Sequence, residues 1–226
     1  MTLTDGSTRI MIDAGVNPSK LMAMGLKFSE IDYIFITHEH GDHNRFAGQI
    51  STKFEIPVIA SQGTLDNTPG ILPRHRMLLH KHNSYIIGSM AILTFLINHD
   101  ASEPNGMFFL NEYKERLLFI PETGTMENID AIADFYVMEA NYSKAQLEQG
   151  FDEGNINSKL YDRIFSPDGH LAVEDAIEYA TTDHRKGKPF LFINTSSSNY
   201  IKTILPDNCT IAMAGNEYKF GHETPY

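Results

Sequence analysis

One apolar run in the chain ends abruptly in a cluster of titratable residues. The segment YIFITHEHGDHNRF covers residues 33–46, and its aromatic and β-branched residues, which are typical of a buried strand, stop at Thr37. The next six positions, 38–43, hold three histidines, two acids and one glycine. The fold must therefore end a buried strand in a polar turn, and such turns on a rigid scaffold commonly carry functional sites.

Similar apolar runs recur along the chain and alternate with helical patterns. Residues 85–99 predict a hairpin that turns at Gly88 and Ser89. The other runs that favour strands cover residues 8–15, 32–38, 56–61, 106–111, 116–122, 133–141, 188–196 and 209–215. Apolar residues three and four apart predict helices at 17–26, 43–54, 143–150, 157–166 and 170–186. No repeat or flexible linker divides the chain, so we expect one α/β domain, 1–226, in which helices cover sheets.

Composition argues against several classes of protein. The net charge of −11 disfavours a broad basic face for a nucleic-acid backbone, although a bound metal pair could still hold a phosphate group. No apolar run approaches the length of a membrane span, and the first residues lack the pattern of a signal peptide. We therefore expect a cytoplasmic protein that does not contact a membrane. Cys209 is the single cysteine, so neither an intrachain disulfide nor a cysteine-based metal site is expected.

The turn after Thr37 has the residue types and spacing of a metal-binding motif. Its sequence is His38-x-His40-x-Asp42-His43, and imidazole and carboxylate are the ligands that divalent metals take when cysteine is absent. Alternating side chains in a tight turn can point to one ion, while the adjacent Asp42 and His43 can reach a second. Two ions about 3.5–4 Å apart can hold an attacking hydroxide and a phosphoryl or acyl oxygen together. We expect Gly41 to supply the backbone freedom for this bend.

Further candidate ligands follow other predicted strands. Each stands where an apolar run ends and a polar loop begins, and they are His99, Glu122, Glu139 with Asn141, and Asn194. Residues at the ends of several strands can assemble one site from distant parts of a sequence. We therefore expect these side chains to lie near the metal-binding motif.

Several segments together resemble the metallo-β-lactamase fold, and the YycJ/WalJ-like branch in particular. The strongest is THEHGDH after a strand. The others are MIDAG at 11–15, HDA at 99–101, IPETG at 120–124, EAN at 139–141 and DGHLAVEDA at 168–176. The resemblance runs across nearly the whole chain. It implies an αββα sandwich with a pair of divalent metal ions, and a phosphodiesterase or nuclease rather than a lactamase.

The resemblance also implies a role for each matching residue. One metal ion would be held by His38, His40 and His99, and the second by Asp42 and His43, with Glu122 bridging the two. Asp13 would lie behind the ligands and fix the tautomer of a histidine. The catalytic candidates are Asp42 and His170. His170 is predicted to head the helix 170–186, where a substrate phosphate is favoured, and it is the candidate for assisting the leaving oxygen.

This sequence departs from the family pattern at three places. Glu122 stands where the family has a bridging aspartate, and Asn194 stands where it has the last histidine of the second metal site. An amide oxygen is a poor zinc ligand, so we expect a weaker second site that prefers Mn²⁺ to Zn²⁺. Asn141, Asn194 and Ser196 are expected to support the ligands or to contact substrate. The family's first strand would precede Thr2.

These observations predict a hydrolase of phosphodiester bonds that uses metal-bound hydroxide as its nucleophile. The resemblance favours a DNA exonuclease, so the expected partner is a nucleic acid or nucleotide substrate. A cyclic-nucleotide phosphodiesterase of phage type remains an alternative, and so does a metal-poor, catalytically impaired binding protein. The sequence leaves the oligomeric state open, with a homodimer as one option. His75, His80 and His82 are expected to be solvated, and the phenylalanines at strand spacing to form core.

Overall fold

The structure is a computed structural model that describes residues 1–195 and 203–221, and the chain divides into two units. The first unit consists of Met1–Leu96 and Ala101–Tyr113. The second unit consists of Ile97–Asp100 and Lys114–Tyr226. The prediction of a single domain over 1–226 stays a prediction. Among the described residues, no helix is both long enough and apolar enough to span a bilayer.

A five-stranded sheet organises the first unit, with its strands in sequential order. Strand β1 is antiparallel to β2, and the strands from β2 to β5 are parallel. The strands are β1 (Thr2–Thr4), β2 (Arg9–Ile12), β3 (Tyr33–Phe35), β4 (Val58–Ala60) and β5 (Arg76–Leu78). Ile34, Phe35 and Ile59 are fully buried, as expected for parallel strands covered on both faces. The carboxyl ends of the parallel strands meet at one edge, which brings together the residues that follow β2 and β3.

Short helices connect the strands of this sheet. They are α1 (Pro18–Ala23), α2 (Gly41–Asn44), α3 (Ala47–Phe54) and α4 (Gln62–Asp66), with 3-10 turns at Phe28–Glu30 and Pro73–His75. Ala47 and Ile50 of α3 are fully buried and pack in a core with Phe28 and Ile34. The helix predicted at 43–54 is therefore two helices, because the chain leaves helical geometry at Phe46.

Three antiparallel strands complete the first unit. They are β6 (Ser84–Ile87), β7 (Met90–Leu96) and β8 (Asn105–Leu110). The predicted hairpin at Gly88 and Ser89 is confirmed, since Ile87 pairs with Met90 across the turn. Gly88 has a φ of 59°, and a Cβ there would lie 2.1 Å from Oγ1 of Thr8. Only glycine fits this turn without moving Thr8.

Four parallel strands form the sheet of the second unit in the order β12-β11-β10-β9. They are β9 (Arg116–Ile120), β10 (Phe135–Glu139), β11 (Phe190–Ile193) and β12 (Cys209–Ile211). The helices are α5 (Lys144–Asp152), α6 (Ser158–Phe165) and α7 (Val173–Thr181), with a 3-10 turn at Asp183–Arg185. Tyr136 and Phe190 stack at 4.3 Å between ring centroids and are buried. The prediction that the strand phenylalanines form core is confirmed for Phe109, Phe119, Phe190 and Phe192, whereas Phe108 and Phe135 are half-buried.

Two predictions about histidines are wrong. His170 does not head a helix, because the chain stays extended through Ala172, which bridges to Tyr142, and α7 begins at Val173. His75 is not solvated, since it is only 5% exposed. Its ring lies 2.9 Å from the Ser51 hydroxyl, so a turn with a polar sequence has directed the ring inward. His80 and His82 are exposed, as predicted.

Candidate functional site

The histidine cluster of the first unit, His38, His40 and His43 with Asp13, is built at adjacent strand ends. Asp13 follows β2 and His38 follows β3, and the amide of Asp13 donates to the carbonyl of Phe35 at 2.8 Å. Asp13 has a φ of 59°, in the left-handed region that aspartate tolerates better than most residues. This conformation turns the chain at the strand end and places the Asp13 carboxylate beside Thr37.

A close backbone approach fixes the turn that carries the motif. A Cβ at Gly15 would lie 1.5 Å from the carbonyl oxygen of Asp42, so no other residue fits at position 15 without moving this turn. The amide of Ala14 donates to the carbonyl of His43 on the same turn. The prediction that Gly41 supplies the bend is wrong, because Gly41 is the first residue of α2 and its φ is not positive. The glycine that the turn requires is Gly15.

Asp13 sets the tautomer of two histidines. The Thr37 hydroxyl lies 3.0 Å from Oδ1 of Asp13 and 3.0 Å from Nδ1 of His38. Because the hydroxyl has one proton, donation to Asp13 leaves its oxygen to accept from His38 Nδ1–H. His43 Nδ1 donates directly to Oδ2 of Asp13 at 2.8 Å. Both rings therefore keep Nε2 as the unprotonated nitrogen, which is the form that binds a metal.

The spacing of the nitrogens in this cluster fits a shared metal ion. His38 Nε2 lies 3.1 Å from His40 Nδ1. Two nitrogens bound about 2.1 Å from one ion at tetrahedral or octahedral angles lie roughly 3.0–3.4 Å apart. Asp42 is largely exposed, and its Oδ2 lies 3.8 Å from His43 Nε2. The first unit thus supplies several candidate divalent-metal ligands, and the hydrogen bonds of His38 and His43 favour the tautomer that binds a metal.

Burial alone would raise the pKa of Asp13, but the charge and hydrogen bond of His43 outweigh it and hold that pKa below its usual value. Asp13 is therefore a carboxylate at neutral pH. We expect Asp13→Asn to weaken divalent-metal binding about tenfold or more, because an amide facing His43 favours the tautomer that blocks Nε2. Isothermal titration of the metal-free protein with Mn²⁺ measures this. Glu30→Gln, which removes an exposed carboxylate of the same unit, is the control, and an unchanged affinity in Asp13→Asn would contradict the role given to Asp13.

The carboxylate cluster of the second unit consists of Glu122 and Glu139 with His99, His170 and Asn194. Glu122, Glu139 and Asn194 stand at or just beyond the carboxyl ends of β9, β10 and β11. These three strands are parallel neighbours, so their ends bring the side chains to one edge. Both glutamates are buried. Within this unit the three strand ends bring Glu122, Glu139 and Asn194 into contact.

His99 and Glu122 form a close pair. His99 Nδ1 donates to the carbonyl of Gly169 at 3.1 Å, and its Nε2 lies 2.8 Å from Oε2 of Glu122. Burial alone would lower the pKa of His99, but the hydrogen bond and charge of Glu122 outweigh it and raise that pKa. A divalent ion could replace the proton on Nε2, because imidazole and carboxylate would then be neighbouring ligands.

His170 is held by a fully buried glutamate. Its Nδ1 donates to Oε1 of Glu139 at 2.7 Å, and Oε2 of Glu139 accepts from the amides of Thr123 and Leu171 at 3.0 Å each. Burial raises the pKa of Glu139, and His170 offsets this only in part. Burial alone would lower the pKa of His170, but the hydrogen bond and charge of Glu139 raise it. The pair therefore keeps a proton, and His170, 19% exposed, is its accessible end.

Asn194 joins the two glutamates. Its Nδ2 donates to Oε1 of Glu122 at 2.5 Å and to Oε1 of Glu139 at 2.9 Å, which uses both amide protons. The φ angle of Asn194 is 55°, and its backbone carbonyl accepts a hydrogen bond from Nδ2 of Asn141 at 2.9 Å. Asn194 thus positions the two carboxylates through its side chain, and Asn141 supports the backbone of Asn194. The remaining predicted residue, Ser196, lies outside the described residues.

The donor set of the second unit also fits a divalent metal. Ligand atoms of Glu122, Glu139 and His170 lie within 4.8 Å of one another. Thr37, which joins Asp13 to His38, was not among the predicted site residues, whereas Glu139 was a candidate. The signal for Glu139 was its place at the end of a strand, whereas Thr37 offered none, because a threonine before a histidine is ordinary. Divalent-metal binding is consistent with both clusters.

Comparison with known proteins assigns the family. Residues 2–114 match the family model described as the metallo-beta-lactamase superfamily. The chain is 28% identical over 220 residues to "Exodeoxyribonuclease WalJ" of Streptococcus pneumoniae serotype 2 (strain D39 / NCTC 7466), covering 89% of this chain and 79% of that protein. It is 27% identical over 180 residues to "Exodeoxyribonuclease YycJ" of Bacillus anthracis, covering 74% of this chain and 66% of that protein, just under two thirds of its length.

A solved structure supports the same fold. The metallo-beta-lactamase fold protein YhfI from Bacillus subtilis superposes with a TM-score of 0.72 over 93% of this chain and 86% of that chain, at 12% sequence identity. At this identity the likeness establishes the fold alone. The predicted fold class and the resemblance to the YycJ and WalJ branch are thereby confirmed. The chain belongs to the metallo-beta-lactamase superfamily, within which it is similar to YycJ and WalJ.

Proposed function

We propose that the protein is a metal-dependent phosphodiesterase of the nuclease type. The observation that carries this proposal is the contact between His170 and the buried Glu139, because it fixes an imidazole with a raised pKa next to carboxylates that could bind a divalent ion. Hydrolysis of a phosphodiester needs a proton for the leaving oxygen, and a positioned histidine is the commonest group to supply it. The similarity to two proteins named exodeoxyribonucleases supports a nucleic acid as substrate.

The proposal keeps the ligand assignments predicted from the sequence. One divalent ion is assigned to His38, His40 and His99, and a second to Asp42, His43 and Glu122. Divalent ions bound there would supply Lewis acidity and neutralise negative charge on the phosphoryl group. The protein's own contribution is to fix the ligands. Asp13 selects the histidine tautomers in the first unit, and Asn194 holds Glu122 and Glu139 in the second.

His170 is assigned the proton transfer. Nδ1 is bound to Glu139, so Nε2 is the nitrogen that can donate to the leaving oxygen. Burial alone would lower the pKa of His170, but the hydrogen bond and charge of Glu139 raise it. The ring therefore keeps its proton to a higher pH than an ordinary histidine does. Activity that depends on this proton should be lost as pH rises through the raised pKa.

The experiment that tests the function is hydrolysis by metal-free protein to which one metal is added back. The substrates are bis(p-nitrophenyl) phosphate, linear DNA, RNA and cyclic mononucleotides. Hydrolysis of linear DNA supports the proposal, whereas hydrolysis of cyclic mononucleotides alone favours the small-substrate alternative. Absence of hydrolysis together with absence of bound metal would support a binding protein instead.

Metal preference gives a quantitative expectation from the same assay. We expect Mn²⁺ to support faster hydrolysis than Zn²⁺ by several-fold, because Asn194 supplies no imidazole to the second site and the remaining ligands are rich in oxygen. Rates are measured at matched concentrations of free metal after removal of all metal by a chelator. Equal or greater turnover with Zn²⁺ would contradict the expectation.

A further inference from the structure

Helix α6 of the second unit leads directly into the turn that carries His170. The amide of His170 donates to the carbonyl of Ile164 at 3.1 Å, and the amide of Gly169 donates to the carbonyl of Ser166 at 2.9 Å. A Cβ at Gly169 would lie 2.3 Å from the carbonyl oxygen of Arg163, so only glycine lets the turn fold back on the helix. Side chains near the end of α6 are therefore held close to the proposed proton donor.

Arg163 places a cation beside this group. Its Nε lies 3.4 Å from Oδ2 of Asp100, the residue after His99, and its side chain is 59% exposed. Arg163 is close enough to His170 for its positive charge to disfavour the protonated ring, against the effect of Glu139. The contact with Asp100 uses Nε, so within the described part of the chain the two terminal amino groups of the guanidinium remain available to a ligand. Arginine presents these groups in the geometry that phosphate oxygens accept.

The last residue of the same helix is an exposed aromatic ring. Phe165 is 51% exposed and stacks on Tyr161 at 5.8 Å between centroids, and Tyr161 contacts Phe151 at 4.7 Å. None of the eight residues of α6 is buried, although its apolar side chains lie mainly along one side. Tyr161 is half-buried and supports Phe165 from below. An exposed aromatic ring beside a cation is a feature that single-stranded nucleic acids bind, because every base can stack on a ring.

We propose that α6 is the substrate-recognition helix of the proposed phosphodiesterase. Arg163 binds a phosphate adjacent to the one that is cleaved, and Phe165 stacks on a base. This inference rests on the proposed function and deepens it, since a substrate with two successive phosphates and a base is a nucleic-acid strand and not a cyclic mononucleotide. A cation at this position also counters the repulsion that a net charge of −11 exerts on a phosphate backbone.

The test compares two substrates and two charge-removing variants. We expect Arg163→Gln to lower kcat/KM on single-stranded DNA about tenfold or more, mainly through KM, because a charge-assisted contact to phosphate is lost. Hydrolysis of bis(p-nitrophenyl) phosphate, which has no second phosphate, should change less than about twofold. Lys159→Gln removes one positive charge from the same helix and is the matched control, expected to leave both rates unchanged. Arg163→Lys should recover part of the loss on DNA.

Binding gives a readout that does not depend on turnover. The probe is a fluorescent single-stranded thymidine oligonucleotide with phosphorothioate linkages, and its anisotropy is measured in the presence of Mn²⁺. We expect affinity to fall about tenfold in Arg163→Gln and about fivefold in Phe165→Ala, with Tyr113→Ala, an exposed aromatic of the first unit, as the control. Unchanged binding in Arg163→Gln and Phe165→Ala would overturn the role of α6 even if the protein hydrolyses both substrates. Weaker binding without any hydrolysis would support α6 and overturn the proposed activity.

Discussion

Replacing Glu139 with glutamine is expected to lower the rate of DNA hydrolysis about a hundredfold or more. Glutamine has nearly the same size, but it removes the negative charge that holds the proton on His170. Glu139 accepts four hydrogen bonds, from Thr123, Leu171, His170 and Asn194. The glutamine side chain also turns its NH2 group toward one of these donors, so that hydrogen bond is lost. The alkaline limb of the pH–rate profile should move to lower pH, because the raised pKa of His170 depends on Glu139 despite the opposing effect of burial.

Two comparisons separate this effect from simple damage to the fold. p-Nitrophenolate leaves without a proton, so hydrolysis of bis(p-nitrophenyl) phosphate should fall much less in Glu139→Gln than hydrolysis of DNA does. Thermal unfolding and metal stoichiometry identify a variant that has lost its structure. An unchanged alkaline limb, or an equal loss on both substrates in a folded variant, would show that Glu139 does not act through the proton on His170.

The second large effect is expected at Asn194. In Asn194→Asp a third carboxylate replaces the amide that donates to Glu122 and Glu139, so like charges face each other at hydrogen-bond distance. We expect the metal-free variant to be less stable by about 3 kcal/mol near neutral pH, which corresponds to a fall in Tm of roughly 10 °C. The loss should diminish as pH falls, since protonating one carboxyl group removes the repulsion. Saturating Mn²⁺ should recover most of the stability, because an added anionic ligand favours a divalent ion.

Asn194→His is the matched variant at the same position. The sequence predicts that an imidazole there restores a ligand and tightens binding of the second ion. The observed contacts add a cost to the metal-free protein, because one neutral ring cannot donate to both glutamates as the amide does. We expect a loss of about 1 kcal/mol without metal and tighter binding of the second ion. Calorimetric titration and thermal unfolding measure both. If the metal-free forms of both variants are as stable as the unmodified protein, the hydrogen bonds from Asn194 do not stabilise Glu122 and Glu139.

Much of this arrangement was accessible from the sequence, because parallel strands place their carboxyl ends at one edge. A buried run followed by a polar residue is therefore an informative signal, and it marked His38, Glu122, Glu139 and Asn194 as candidate site residues. The close spacing in the histidine motif was equally legible, since ligands a few residues apart need only a turn to converge. The same local patterns predicted the hairpin at Gly88 correctly.

Other features depended on contacts that no local pattern records. The helical periodicity of residues 170–186 was real, but Leu171 and Val173 donate their amides to Glu139 and Tyr142, which keeps the chain extended before α7. The required glycine of the metal-binding turn was Gly15, in a different loop, because the constraint is an approach between two segments. His75 was drawn inward by Ser51 in the same way.

The left-handed backbone at Asp13 and Asn194 restricts which substitutions these positions can accept. Both residues follow a parallel strand and have φ angles of 59° and 55°. Besides glycine, the residues that most readily adopt this conformation are asparagine, aspartate and, to a lesser degree, histidine. All three side chains can bind a metal, and asparagine and histidine can also donate to carboxylates. The backbone at either position therefore accepts mainly substitutions that keep a polar or metal-binding side chain. Such substitutions can change the preferred metal without changing the conformation of the strand end.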